Sequence, residues 1–551
     1  MQQFSWKTWT KILLLPLTFM LGAFSYQYVA DKITPAQIDA AANLFGLEMS
    51  PVEIDLLLPN LTNNRDGYIR NRDLDIPNGL SPAIQLNPFP AAYQKPNIQH
   101  PVRYSNLGKV TMPAKEEDLA WYSVGELGVL IRTQQLSSVA LTKFCLERLK
   151  KHNQTLECVV TLTEELALKQ AARADAELAA GRYRGPLHGI PYGAKDLLAA
   201  EGYPTTWGAE PFKEQVLNYN ATVVERLEEA GAVLVAKLTL GALAWGDVWF
   251  GGKTKNPWDP TRGSSGSSAG SASSVAAGLV PFAIGTETLG SIVSPSTVCG
   301  TTGLRPTYGR VSRYGAMALS WSMDKIGPIT RSVEDAAMVF EAIQGPDGLD
   351  NHLYDLPFNY DAAADPKKIK LGYLKSAFDR QSSFKTNDSL SLVKLEALGF
   401  ELVPIELPSM PDLGIILSVE AAAAFDELTR SGADDQMVRQ IQNAWPNVFR
   451  AARFVPAVEY VQANRLRSRL IEEMDEVFQQ VDVYVHPSRG NSSLSITNHT
   501  GHPCIVLPNG FRNGRPTSIS FTGKLFEEGQ IMQVAKAYQD ATEHHKKHPE
   551  L

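Results

Sequence analysis

Residues 262–315 read RGSSGSSAGSASS, then VAAGLVPFAIGTETLG, then SIVSPSTVCGTTGLRPTYGRVSRYG. This stretch limits the fold more than any other. A flexible tether of Ser and Gly is flanked by polar, aperiodic chain. Here the glycines recur at irregular spacing among apolar residues, which is what backbone needs when it turns tightly inside a packed domain and approaches a ligand closely. The stretch therefore belongs to a core.

The flanking chain supplies that core. TEELALKQAARADAELAAG reads as a helix stopped by Gly181. ATVVERLEEAGAVLVAKLT reads as a helix, a glycine stop and a short buried strand, AVLVAK. KIKLGYL (368–374), ELVPIEL (401–407) and VDVYVHP (481–487) are further strands, and 416–480 is mostly helical by periodicity. Short apolar strands alternating with helices predict an α/β fold with a mainly parallel or mixed sheet. No internal break divides residues 118–545. Ahead of them, Thr34–Pro35 and Ser50–Pro51 each offer an N-cap followed by proline, so 33–60 reads as two short helices. A Pro-rich extended segment follows. The expected organisation is 1–25 as signal peptide or anchor, 31–117 as a helical and extended accessory segment, and 118–549 as the main domain.

The N-terminus carries Lys7 and Lys11 with no acid, then the apolar run Ile12–Phe24 and small residues at Ala23 and Ser25. That pattern is an export signal, and the run is short for a membrane span. An exported chain is expected, periplasmic, extracellular or membrane-anchored; cleavage and retention as a tether both stay open. A net charge of −7 without a basic block disfavours nucleic acid. The four cysteines, 145, 158, 299 and 504, lack C-x-x-C spacing, and no H-E-x-x-H occurs among ten histidines, so no metal is expected. A Cys145–Cys158 bridge and free buried thiols are both open.

The serines suggest catalysis in three ways. Gly266-Ser267-Ser268-Ala269-Gly270 fits G-x-S-x-G, with Ser268 as nucleophile and Asp482 and His502 as candidate partners, but NPWDPTRGS is a poor strand to precede an elbow. A phosphate cradle would need a lysine, and none occurs between Lys255 and Lys325. The third reading is a Ser-Ser-Lys arrangement. SGSSAGSASSVAAGLVPFAIGTETLGSIVSPSTVCGTTGLRPTYGRVSRYG (265–315) resembles the signature of the amidase signature family, and GPLHGIPYGAKDLLAAEGYPTTWGAE (185–210) resembles its lysine motif. The likeness extends over roughly 120–549.

The resemblance implies a mixed sheet covered by helices on both sides, no cofactor, and an amide substrate, either a small molecule or a peptide. It implies Lys195 as catalytic base, Ser267 as a bridging serine after a cis peptide bond, and Ser291 as nucleophile. It also implies backbone N–H groups of Thr288, Leu289, Gly290 and Ser291 as an oxyanion hole, with Ser268 in support. The chemistry is coherent. A serine hydroxyl needs a base, and a lysine serves only when burial keeps it neutral. Three residues depart from the family pattern: Glu287 stands for Asp, Leu289 for Gly and Val293 for Arg. The loop therefore needs another brace, for which Tyr308, Arg305 and Arg310 are candidates. Trp207, Trp245, Trp249 and Trp321 are candidate pocket residues. The expected activity is hydrolysis of a carboxamide to carboxylate plus ammonia or amine. The alternatives are a silent binding protein on the same scaffold and an amidotransferase A-type subunit. A homodimer is left open.

Overall fold

A computed structural model describes residues 32–74 and 76–551. The expected export signal over 1–25 lies outside them. No helix among the described residues is long and apolar enough to cross a membrane.

The chain divides into two compact units, Met1–Leu80 and Ser81–Leu551. In the first, α1 (Pro35–Leu44) and α2 (Pro51–Arg72) start at the two Thr/Ser-Pro pairs. Both carry capping boxes, Thr34 with Gln37 and Ser50 with Glu53, which satisfy amide groups that the first turn leaves open. α2 runs through Pro59 and beyond the expected end at residue 60. The boundary falls at 80/81 rather than 117/118. Residues 81–117 go with the second unit because the extended strand-like chain is pinned there. Gln99 donates to Phe358 O at 2.8 Å, and Ser105 N–H donates to Glu334 at 2.6 Å.

The second unit is built on an eleven-stranded mixed sheet. Its strands are β1 (Val159–Leu162), β2 (Pro191–Lys195), β3 (Val233–Leu238), β4 (Phe282–Glu287), β5 (Thr302–Arg305) and β6 (Lys325–Thr330). They continue as β7 (Leu371–Leu374), β8 (Leu402–Ile405), β9 (Val483–Pro487), β10 (Cys504–Arg512) and β11 (Arg515–Gly523). The order across the sheet is β1-β3-β2-β4-β6-β5-β10-β11-β9-β7-β8. β3, β2 and β4 run parallel, as do β9, β7 and β8; the strands between alternate in direction.

AVLVAK is apolar throughout because both faces of β3 are covered. Val233 and Val235 pack into one core cluster with Leu146 and Ala171, while Leu234 points the other way into a second. The helices expected from periodicity are present, among them α3 (Val124–Arg132), α4 (Ser138–Leu156), α5 (Glu164–Ala179) and α6 (Thr222–Glu229). All four cysteines are free and buried, so the Cys145–Cys158 bridge does not form. Burial pushes both thiols up to about 12.

Two consequences position the site. β2 and β4 are parallel neighbours, so their C-terminal residues, Lys195 and Glu287, emerge at the same end of the sheet. Two short helices, α7 (Ala269–Ala276) and α8 (Val293–Cys299), carry the Ser-rich run and the SIV segment to that end.

Candidate active site

The Ser/Gly run is small because it is enclosed. α7, AGSASSVA, is buried along its whole length. Its serines tie it to neighbouring backbone: Ser271 Oγ donates to Ile284 O at 3.0 Å and Ser273 Oγ to Lys255 O at 2.8 Å. A Cβ at Gly266 would stand 1.9 Å from Gly246 O, so only glycine fits there. The Gly266–Ser267 peptide is cis. Asp259–Gly263, read from sequence as a poor strand, is a strand after all, paired with Lys255–Asn256 outside the main sheet.

Lys195, Ser267 and Ser268 meet in the interior, all three almost wholly enclosed. Lys195 Nζ lies 2.8 Å from Ser267 Oγ, 3.2 Å from Ser268 Oγ, 2.8 Å from Thr286 Oγ1 and 3.4 Å from Thr286 O. Burial lowers the Lys195 ammonium to about 7, opposed by Asp324 and Glu287. A neutral amine has two N–H groups and one lone pair. Ser268 already spends its proton on Thr286 O at 3.1 Å and accepts Thr286 N–H at 3.1 Å. It can only accept from Lys195. With the two N–H groups directed to Ser268 and Thr286, the lone pair faces Ser267. Of the two neighbouring serines, the network leaves Ser267 to give its proton to the lysine.

The carboxylate of the next residue, Asp196, forms a buried ion pair with Lys237 at 2.7 Å and accepts Thr206 N–H at 2.9 Å. This clamps the backbone immediately beside Lys195. Neither Thr286 nor the Asp196–Lys237 pair is visible without knowing that β2 lies between β3 and β4.

Ser291 is the first residue past the turn that follows β4 and is nearly buried. Its backbone O accepts Ser268 N–H at 3.1 Å, which locks the two serine segments together. The side chains of Ser267 and Ser291 are not hydrogen-bonded to each other. Among the described residues, the N–H groups of Thr288, Leu289, Gly290 and Ser291 make no hydrogen bond, whereas the next two are taken: Ile292 N–H and Val293 N–H donate to Glu287 Oε2 at 2.8 and 2.9 Å. Four successive donors are left open beside one hydroxyl. The Thr288 hydroxyl, held by Asp324 Oδ1 at 2.6 Å, fixes the start of the turn.

The three departures from the family pattern resolve in the geometry. Only Gly290 has positive φ in the turn, at +87°, so it alone requires glycine; Leu289 is tolerated and projects outward, 39% exposed. Val293 is buried against Cys504 and Val506. The brace is Arg305, whose Nη1 lies 3.0 Å from Glu287 Oε1, joined by Asn498 Nδ2 at 2.8 Å. Burial alone would raise Glu287; Arg305, the two backbone N–H groups and Asn498 together hold it below the ordinary carboxylate range. The other two candidates are engaged elsewhere. Arg310 pairs with Glu528 at 3.3 Å, and Tyr308 donates to Trp321 O at 2.9 Å.

The elbow reading fails on contact. Ser268 touches Lys195 and Thr286, and no histidine. Asp482 pairs with Lys524 at 2.6 Å, and His502 Nδ1 lies 2.8 Å from Thr500 Oγ1. Of the candidate pocket tryptophans, Trp207 packs on Phe212 and Trp245 on Trp445, with ring centroids 4.6 and 4.7 Å apart. No cluster of three or more metal-ligating side chains forms among the described residues.

Comparison with known proteins bears on the chain as a whole. The family model described as Amidase matches residues 140–532. The chain is 32% identical over 484 residues to the A subunit of the glutamyl-tRNA(Gln) amidotransferase from Moorella thermoacetica, spanning 79% of this chain and 99% of that protein. It is 35% identical over 467 residues to the one from Chloroflexus aurantiacus, spanning 76% and 96%. Among solved structures it is similar to the native peptide amidase from Stenotrophomonas maltophilia, with TM-score 0.69 and 30% identity over 76% of this chain and 97% of that one. An amidase family protein from Bacillus anthracis superposes with TM-score 0.71 at 27% identity, over 79% and 94%.

Proposed function

Because the chain belongs to the amidase signature family, we propose that it hydrolyses a carboxamide C–N bond through an acyl-enzyme on Ser291. The observation that carries this reading is the 2.8 Å contact of buried Lys195 with Ser267, beside a turn with four unspent N–H donors. Neutral Lys195 takes the Ser267 proton as Ser267 takes that of Ser291, and Ser291 Oγ attacks the carbonyl carbon. The Ser267–Ser291 contact is the one that substrate closes; such contacts tighten in the Michaelis complex. The oxyanion is received by the N–H groups of 288–291, each such donor being worth about 2.7–4 kcal/mol. The amine departs with the proton returned through Ser267, and water then cleaves the ester by the same route.

Similarity to a peptide amidase supports a peptide or other small amide as substrate for a lone chain. Similarity to amidotransferase A subunits favours the second reading, an amidase half that works with a partner. Ammonia release by the purified chain from small, aryl and peptide C-terminal amides supports the first; release only when partner subunits are added supports the second. Lys7, Lys11 and the apolar run Ile12–Phe24 support export of the chain.

The pH profile tests the base. Lys195 works only when neutral, and its value of about 7 leaves it protonated in acid. kcat/KM should therefore rise with pH to a plateau, falling about tenfold per unit below an apparent pKa near 7. A flat profile from about pH 5.5 to about 8.5 would remove Lys195 from the reaction.

A further inference from the structure

A cavity of 310 Å³ opens toward the end of the sheet opposite Lys195 and Glu287. It is lined by Pro487 at the end of β9 and the residues to Gly490 that follow it, the β10–β11 hairpin at Arg512 and Arg515, the loop 380–384, and Thr297 and Val298 of α8. Sheet register locates it. β10 pairs antiparallel with β5 so that Cys504 faces Arg305, at the same end as Glu287. Arg512 and Arg515 therefore sit at the other end of the sheet. Pro487 pairs with Ile519 in an antiparallel ladder, which turns the C-terminus of β9 to that end as well. The arginines of the cavity are thus set off from Lys195 and Ser291 along the strands, while Thr297 and Val298, at the C-terminal end of α8, reach its wall from the Ser291 side.

Its charge is one-sided. Arg380, Arg489, Arg512 and Arg515 line it against a single carboxylate, Asp388, and none of the four arginines is in an ion pair among the described residues. Two are held in place without being neutralised. Arg380 Nη1 donates to Gly490 O at 2.5 Å, tying the two loops, and the Arg512 guanidinium lies 5.9 Å from the Phe384 ring centroid. Asp388 is buried and accepts Asn509 Nδ2 at 3.1 Å. Arg515 is also felt by Asp259, whose carboxylate is lowered first by the Thr261 hydroxyl.

We propose that this cavity is a second ligand site, for a small organic phosphomonoester. Four guanidiniums on one cavity wall, three of them on exposed residues, against the single lining carboxylate of Asp388 leave a net positive charge that suits a multiply charged anion, and the planar fork of arginine matches phosphate oxygens. Water occupies about 30 Å³ per molecule in the liquid, so 310 Å³ has room for an organic group beside the phosphate. Phe384, Ala377 and Pro516 offer that group an apolar wall.

Titration calorimetry of the full chain at low salt, with phenyl phosphate, inorganic phosphate and succinate as probes, tests this. Phenyl phosphate should bind one per chain, at least tenfold tighter than succinate, with inorganic phosphate competing. The double variant Arg489→Ala/Arg512→Ala should weaken it about a hundredfold, near tenfold per guanidinium lost. Its amide hydrolysis should stay within twofold of wild type, which also shows that the variant is folded. Absence of saturable binding, succinate binding as tightly, or undiminished binding by the double variant each overturns the site. Loss of hydrolysis by a folded double variant would instead make the cavity part of the catalytic machinery, and would overturn its independence.

Discussion

Replacing Ser291 by alanine should lower kcat by a factor on the order of 10⁶ while leaving the fold intact. The hydroxyl is the sole nucleophile in the proposed reaction, and its neighbours cannot substitute. Ser267 faces the lysine lone pair and carries protons. Ser268 is committed to the backbone of Thr286 on both sides, at 3.1 Å each way. The residual rate would come from the oxyanion donors of 288–291, which the substitution leaves in place. Lys195→Ala should cost nearly as much, and the Ser291→Ala/Lys195→Ala pair little more than Ser291→Ala, because the residues act as one unit. Ser268→Ala should cost far less, since it removes a hydrogen bond that orients Lys195 and no reacting atom. Initial rates of ammonia release by the four proteins check the set. Retention of a hundredth of wild-type activity by Ser291→Ala, or a loss concentrated at Ser268, would end the assignment.

The sequence made Lys195, Ser267 and Ser291 legible because long motifs surround each of them. It made β3, β7, β8 and β9 legible because short apolar runs are bounded by glycine and charge. What it could not carry is pairing between distant segments. Thr286 becomes a lysine partner only because β4 lies beside β2, and Asn498 reaches Glu287 across more than two hundred residues of chain. The same limit explains the boundary at 80/81. Residues 81–117 have the composition of a loose Pro-rich layer, and their contacts with distant residues of the second unit, among them Glu334, Phe358 and Leu525, assign them to it. The departures at 287, 289 and 293 looked like three separate risks. Two of them are linked by one ion pair: Arg305, from β5, reaches Glu287 where Val293 offers no charge, and the longer glutamate spans from β4 to both Ile292 N–H and Val293 N–H.

That ion pair sets up the second large effect. Both side chains of Glu287–Arg305 are fully buried, so Arg305→Met should leave a carboxylate in the interior without its counterion, at a cost of about 3–5 kcal/mol. The remaining donors, Asn498 and two backbone N–H groups, cannot supply a charge. The pH dependence follows from the sign of the shift. In the wild type Glu287 sits below the ordinary range, so the pair's contribution is present above the unfolded-state value of about 4.3 and is lost as pH falls through the folded value. In Arg305→Met, burial prevails and Glu287 rises, so the variant can relieve its penalty by taking up a proton. Its deficit should therefore be full at about pH 7.5 and smaller at about pH 5. Urea unfolding at the two pH values checks this. A deficit below about 1 kcal/mol, or one equal at both, would show that the pair is not what holds the buried charge. The double variant Glu287→Gln/Arg305→Met should lose less than the sum of its parts by about 0.5–3 kcal/mol, because each single change strands the other's charge. Its kcat should still fall: the single glutamine oxygen can keep Ile292 N–H and Val293 N–H, which share Oε2 in the wild type, but the NH2 then meets the Asn498 Nδ2 donor, which loosens the turn that holds the four open donors beside Ser291.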